Sequence, residues 1–101
     1  MKMYNWHGKA TDELCDAFLL LKNREECYAF LEDICTIKEI LEMSQRLTVA
    51  KLLDKGMSYS KISKETGVST TTISRIGRCI GYGNGGYKTV IDRLIEVEND
   101  D

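Results

Sequence analysis

Short hydroxyl side chains and cationic side chains occur together between residues 58 and 78 of this sequence, and these are its residues best suited to chemistry. Four hydroxyl residues in a row, at 69–72, stand where a helix is expected to begin. Threonine is a poor helix former, so a helix used only for packing would not need this run at an exposed start. Hydroxyls beside lysine and arginine are typical of a surface that binds the phosphodiester backbone and base edges of DNA.

The hydroxyl and cationic residues divide into two predicted roles. The candidates for base edges carry short hydroxyl or methyl groups that fit the major groove directly or through water: Thr70, Thr71 and Ser74. The candidates for phosphate carry a cation, a hydroxyl group or a backbone N–H at a helix N-terminus: Ser58, Tyr59, Ser60, Lys61, Lys64, Arg75 and Arg78. Arg75 and Arg78 also suit guanine.

The charge distribution favours the same segment. The formal net charge is −2, but residues 43–93 hold 9 basic and 3 acidic residues, whereas residues 1–42 hold 5 basic and 9 acidic. Residues 94–101 hold 4 acidic residues and no basic one. A basic block of this kind is expected where a chain meets phosphates. The alternative is a solvated basic face with no partner.

The elements that would position these residues form a helix-turn-helix at 58–78. Ser63 is small enough for close approach of two helices, Gly67 permits the positive φ of a tight turn, and Ser69 caps the second helix. The positions predicted to face inward are Ile62, Thr66, Val68, Ile73 and Ile76. The second helix of this motif enters the major groove of DNA.

The rest of the chain predicts an all-α fold of about six helices, because apolar residues recur at helical spacing and proline is absent. Helices are expected after caps at Thr11, Asn23 and Thr36, the third of these ending at Gly56. Two more follow Ser58 and Ser69, and a glycine-rich loop at 81–87 precedes the last. We predict one domain over 1–101, with a loose arm at 1–10 and a frayed tail at 98–101.

Several function classes are disfavoured by the sequence. The four cysteines form no Cys-x-x-Cys pair and His7 is the only histidine, so we expect no metal and no enzymatic activity. The cysteines are predicted to be buried thiols within helices. No apolar run is long enough to span a bilayer and the N-terminus has no secretory pattern, so we expect a cytoplasmic protein with no membrane partner.

Three segments resemble the Trp repressor superfamily, most closely its YerC/YecD branch of Trp-repressor-like proteins: residues 52–58, residues 69–79 and the loop at 81–87. The resemblance covers roughly residues 30–95. It implies an intertwined homodimer with six helices per chain, whose two recognition helices enter successive major grooves of double-stranded DNA. It also implies repression from a palindromic operator whose half-sites lie about one helical turn apart.

The resemblance also points to an effector pocket. Two arginines hold the amino acid in the Trp repressor; Arg75 matches one directly, and Arg46 matches the other when one residue is deleted. The family has a glycine after the second arginine, which leaves room for the indole ring, whereas this chain has Ile76. Cys79 replaces a serine further on. Tryptophan is therefore disfavoured, and we expect no cofactor other than a small-molecule corepressor of unknown identity.

Two functions from different classes stay open on the sequence. The first is a sequence-specific DNA-binding transcription regulator acting as a repressor. The second is a helical, dimeric protein-interaction module that no longer binds DNA. The basic block and the exposed Thr70 and Thr71 favour the first.

Overall fold

A computed structural model describes residues 5–99, and six α-helices make up its regular structure. They are α1 (Lys9–Leu20), α2 (Arg24–Ile34), α3 (Ile37–Asp54), α4 (Tyr59–Thr66), α5 (Thr70–Tyr82) and α6 (Gly86–Asn99). No strand occurs between residues 5 and 99. The predicted all-α fold with six helices is confirmed.

Side-chain caps begin four of the helices where the sequence predicts them. The Asn23 side chain accepts a hydrogen bond from the Glu26 N–H (2.9 Å) at the start of α2. Thr36 and Glu39 bond reciprocally at the start of α3: Glu39 Oε1 accepts from the Thr36 N–H (2.8 Å) and Thr36 Oγ1 from the Glu39 N–H (3.1 Å). The bond from the Thr36 N–H lowers the pKa of the Glu39 carboxyl. Ser58 and Ser69 cap α4 and α5.

The first helix begins earlier than its predicted cap. It includes Lys9 and Ala10, which belong to the predicted arm, and the residue preceding it is Gly8 rather than Thr11. Thr11 is the third helical residue; its Oγ1 accepts from the Gly8 N–H (2.8 Å) and lies within bonding distance of the Trp6 carbonyl (3.0 Å). The prediction is wrong because Thr11 acts from inside the helix: its hydroxyl accepts from the N–H of Gly8, which has no side chain with which to cap the helix.

The other two boundary differences concern α5 and α6. The predicted loop at 81–87 shrinks to 83–85, because α5 continues to Tyr82 and α6 begins at Gly86. The Gly83 N–H bonds to the Cys79 carbonyl (2.9 Å), which completes the last turn of α5. Helix α6 includes Glu98 and Asn99 of the predicted frayed tail, and Glu98 lies 3.6 Å from the Lys51 ammonium. Residues 100 and 101 lie outside the described residues.

The chain divides into two compact units, Met1–Ile40 and Leu41–Asp101, with the division inside α3. Within the described residues, the whole buried hydrophobic core belongs to the second unit. Its members come from α3 to α6 and the turn at residue 68: Val49, Ala50, Ile62, Val68, Ile73, Ile76 and Ile91. The single domain predicted over 1–101 stays a prediction.

The first unit has apolar faces with little cover. Neither α1 nor α2 contains a buried residue, although Phe18 and Phe30 meet edge to face with ring centroids 5.1 Å apart. Leu19 and Leu20 are 81% and 75% exposed. In the described part of this unit, therefore, no apolar side chain is fully buried within one chain.

The cysteines do not match their prediction. Cys15 and Cys79 are exposed, while Cys27 and Cys35 are half-buried, so none of these free thiols is buried. Cys35 also lies just after α2 rather than inside a helix. The prediction is wrong because Cys15 and Cys27 lie on α1 and α2, whose apolar faces the chain leaves uncovered.

Two other kinds of feature are absent from residues 5–99. None of the helices there combines the length and apolar character that a membrane crossing requires. The same residues contain no group of three or more His, Cys, Asp or Glu side chains placed to hold a metal ion.

Candidate nucleic-acid interface

The joint between α4 and α5 has a fully apolar interior. Ile62 of α4 and Ile73 of α5 are 0% exposed, and Val68 in the turn between them is buried as well. These side chains pack with Val49 and Ala50 of α3. Four of the five positions predicted to face inward are buried, and the fifth, Thr66, is half-buried. Their packing gives the two helices a fixed mutual arrangement.

The turn between α4 and α5 depends on Gly67. Its φ of 77° lies in the left-handed region, where a side chain would be strained, and its N–H bonds to the Ser63 carbonyl (2.8 Å). Half-buried Thr66 holds the turn from its other side, since Oγ1 donates to the Ile62 carbonyl (2.7 Å) and accepts from the Val68 N–H (3.2 Å). The motif is therefore held by local hydrogen bonds as well as by its core.

The hydroxyl residues at the start of α5 have separate surroundings. Ser69 Oγ accepts from the Thr72 N–H (3.2 Å) and donates to Thr72 Oγ1 (3.1 Å), which uses both hydroxyls within the chain. Thr70 and Thr71 are exposed, and Ser74 is half-buried. Ser69 is exposed too, but the predicted base-edge residues Thr70 and Thr71 are the exposed hydroxyls of this run without a side-chain hydrogen bond to residues 5–99.

The cations of 58–78 are exposed and lack ion-pair partners among residues 5–99. They are Lys61, Lys64, Arg75 and Arg78, with Glu65 as the acidic residue of the segment. Lys88 on α6 is different, because it lies 3.1 Å from Asp92 and 3.5 Å from Asp54. Its hydrogen bond to Asp92 and the charge of Asp54 raise the pKa of Lys88. The charges of 58–78 are thus left available for an external anion.

The N-terminus of α4 holds the other predicted phosphate contacts. Ser58 and Ser60 are exposed, and Ser58 Oγ accepts from the Lys61 N–H at 3.3 Å. Tyr59 is 43% exposed, but its phenol lies against α5. A Cβ built on Gly77 would lie 2.8 Å from Tyr59 Oη. Sequence reasoning missed this contact, for which the only signal was a glycine inside a helix.

Arg46 of α3 and Arg75 of α5 line one cavity of about 310 Å³. Its other walls are Glu42, Gln45, Thr72 and Ile76. The structure thus brings together the two arginines predicted for the effector pocket and places Ile76 beside them. Glu42, Gln45 and Thr72 were missed. Glu42 lies four residues before Arg46 and Thr72 lies three before Arg75, so helical spacing could have placed these two on the faces of the arginines.

Two helices packed around a buried turn, with exposed hydroxyls and cations on their surface, form a helix-turn-helix, a motif that many DNA-binding proteins use. Residues 9–95 match the sequence profile described as Trp repressor protein, and the chain belongs to that family. The uncharacterized protein YerC of Bacillus subtilis (strain 168) is 48% identical over 100 residues, which is 99% of this chain and 96% of YerC.

Two solved structures resemble the chain. One is a crystal structure of a candidate Trp repressor from Staphylococcus aureus, with a TM-score of 0.85 and 49% identity, covering 93% of this chain and 94% of that one. The other is a TrpR like protein from Eubacterium eligens ATCC 27750, with a TM-score of 0.80 and 50% identity, covering 84% and 88%. The predicted family resemblance, including its YerC branch, is confirmed.

Proposed function

We propose that this chain is a sequence-specific DNA-binding transcription regulator that acts as a repressor. It binds a palindromic operator as a homodimer through the helix-turn-helix at 58–78. The observation that carries the proposal is the contrast across α5: Ile73 is fully buried in the joint, while Thr70 and Thr71 face solvent at the helix start. A recognition helix needs this arrangement, since its N-terminal residues contact base edges while its other face holds it to the domain.

The unpaired cations support the proposal. Lys61 and Lys64 on α4 and Arg75 and Arg78 on α5 are all exposed within one short segment. These cations would pair with backbone phosphates of DNA. The first N–H groups of α4 point out of the helix and could donate hydrogen bonds to a phosphate as well. Membership of the Trp repressor family supports the same class of function.

The homodimer is supported by the first unit. Helices α1 and α2 carry apolar side chains but bury none, and a unit of about 40 residues seldom folds without added stabilisation. A second, more open cavity of about 500 Å³, with Leu47, Tyr87 and Val90 in its walls, leaves further apolar surface uncovered in the second unit. Interleaving of two chains would cover such surfaces, as the family resemblance implies.

The proposal is tested by selecting bound sequences from a random pool of duplex DNA and measuring affinity at several salt concentrations. We expect enrichment of a palindrome with half-sites about one helical turn apart. Affinity should fall steeply with salt, because each neutralised phosphate releases counterions. Sedimentation of the free protein should give a dimer. A dimer that enriches no sequence and shows weak, salt-insensitive retention on DNA would instead be a protein-interaction module.

A further inference from the structure

The phenol of Tyr59 lies over the backbone of α5 at Gly77. A Cβ built on Gly77 would be 2.8 Å from Tyr59 Oη, 3.7 Å from its Cζ and 3.8 Å from Leu53 Cδ1. Only the first distance is too short for a carbon atom, since the other two are ordinary van der Waals separations. One oxygen atom, at the end of the Tyr59 side chain, would therefore have to move if position 77 carried a side chain.

The glycine at position 77 is explained by space rather than by backbone conformation. Gly77 lies inside α5 and has no positive φ, and a glycine in a helix interior destabilises the helix relative to alanine. Gly81, in the same helix, would meet nothing within 4 Å if it carried a Cβ. The close approach of Tyr59 is thus a specific property of position 77.

We propose that Tyr59 is a positioning residue, which sets the orientation of α5 by resting on Gly77 while its exposed edge lies at the N-terminus of α4. The inference rests on the proposed function, because α5 is the helix that would contact base edges. The contact joins the first residue of α4 to a position next to Arg78, a predicted DNA contact. Tyr59 therefore acts on sequence recognition through α5 rather than as an independent phosphate anchor.

Four proteins test the proposal: the wild type, Gly77→Ala, Tyr59→Phe and the double variant. Gly77→Ala should displace the phenol from α5 and weaken binding to the selected operator by about tenfold, with little change on random duplex. Tyr59→Phe keeps the ring and should lose no more than about threefold. The double variant should recover most of the operator affinity, because removal of Oη leaves only ordinary contacts for the new Cβ.

Two control variants lie on the same helix. Gly81→Ala makes the same chemical change in open space and should leave operator binding unchanged. Tyr82→Phe removes a hydroxyl from a tyrosine that is 91% exposed, and it should not rescue Gly77→Ala. If Tyr59→Phe rescues Gly77→Ala and Tyr82→Phe does not, the loss of operator binding is caused by the clash between the new Cβ and Tyr59 Oη. A general loss of stability would not be rescued in this selective way.

Urea unfolding of the same four proteins gives a readout that does not require DNA. Alanine at position 77 should raise the unfolding midpoint in the Tyr59→Phe background and fail to do so in the wild-type background. If the wild type enriches no DNA sequence, the proposed function fails and the positioning role with it, even where the unfolding data show the contact. If the wild type binds its operator, either of two results overturns the positioning role and leaves the proposed function standing. The first is a double variant that binds the operator no better than Gly77→Ala. The second is a Tyr59→Phe variant that loses affinity equally for the operator and for random duplex.

Discussion

Arg46 and Arg75, on α3 and α5, face the same cavity, and Ile76 stands beside Arg75 in its wall. Ile76 is 4% exposed and belongs to the buried core, so its side chain is held in place by the packing of the joint. A residue fixed in this way narrows the cavity permanently, since protein cores are close-packed. The two arginines therefore face a cavity that Glu42 also lines, next to a wall that a glycine would leave open.

We predict that the wild-type protein does not bind L-tryptophan. Ile76 lines the cavity beside Arg75, where the family resemblance implies a glycine, so its side chain reduces the room for an indole ring. Isothermal titration calorimetry with L-tryptophan should show no binding heat, and operator affinity should be the same with and without the amino acid. A clear tryptophan isotherm that Arg75→Ala abolishes would show that the cavity accepts the ring after all.

The exposed methyl and hydroxyl of Thr71 should contribute to sequence recognition. Thr71→Phe places a bulky side chain at the start of α5 and should weaken operator binding by about tenfold or more, since one good base contact is worth about 1–3 kcal/mol. Binding to random duplex should change much less. Competition titrations measure the ratio of the affinities for operator and random duplex. An equal loss of affinity for both DNAs would show that Thr71 does not contact base edges.

Lys61 should act on phosphate and therefore without regard to sequence. Lys61→Ala should weaken operator and random duplex by the same factor and reduce the slope of log affinity against log salt by about 1. Glu65→Gln is the matched control, because it removes the acidic charge of the segment 58–78 and should strengthen both complexes slightly. A loss confined to the operator after Lys61→Ala would contradict the assignment.

The turn at Gly67 should tolerate few substitutions. Gly67→Ala forces a Cβ into the left-handed region at φ 77° and should reduce the free energy of unfolding by about 1–2 kcal/mol. Gly67→Asn should cost less, because asparagine tolerates that region better than alanine does. Urea titrations followed by circular dichroism compare the two variants. Equal stability of both with the wild type would show that the turn relaxes freely.

The capping box of α3 should be sensitive to acid. Because the bond from the Thr36 N–H lowers the pKa of Glu39, the stabilisation is present above the pKa of a glutamate in the unfolded chain and is lost as pH falls through the lowered folded value. The amide shift of Thr36, followed by NMR, should report this titration. Glu39→Gln should abolish the step. A wild-type Thr36 amide that stays constant through the acid range would exclude the bond.

Local chemistry in the sequence was enough to predict the six helices and most of their ends. Each capping side chain bonds to the backbone N–H three residues further along the chain, so these helix starts are decided by near neighbours in the sequence. The caps are Asn23, Thr36, Ser58 and Ser69. The first helix start was missed because a threonine can precede a helix as its cap or, as Thr11 does, accept the N–H of the preceding cap residue from the third helical position. The exposure of the cysteines was missed because burial depends on what covers a helix, which periodicity along one chain does not reveal.

The sequence by itself determined that residues 58–78 form a helix-turn-helix with hydroxyls and cations on its surface. Spacing along a helix fixes which side chains share a face. A glycine such as Gly67 favours the left-handed conformation that ends one helix and turns the chain toward the next. Only the tertiary structure decided which distant residues meet: Arg46 with Arg75 around one cavity, and Tyr59 with Gly77 across two helices. Such contacts depend on the angle and separation of packed helices, which are set by the joint filling of a core rather than by any one segment.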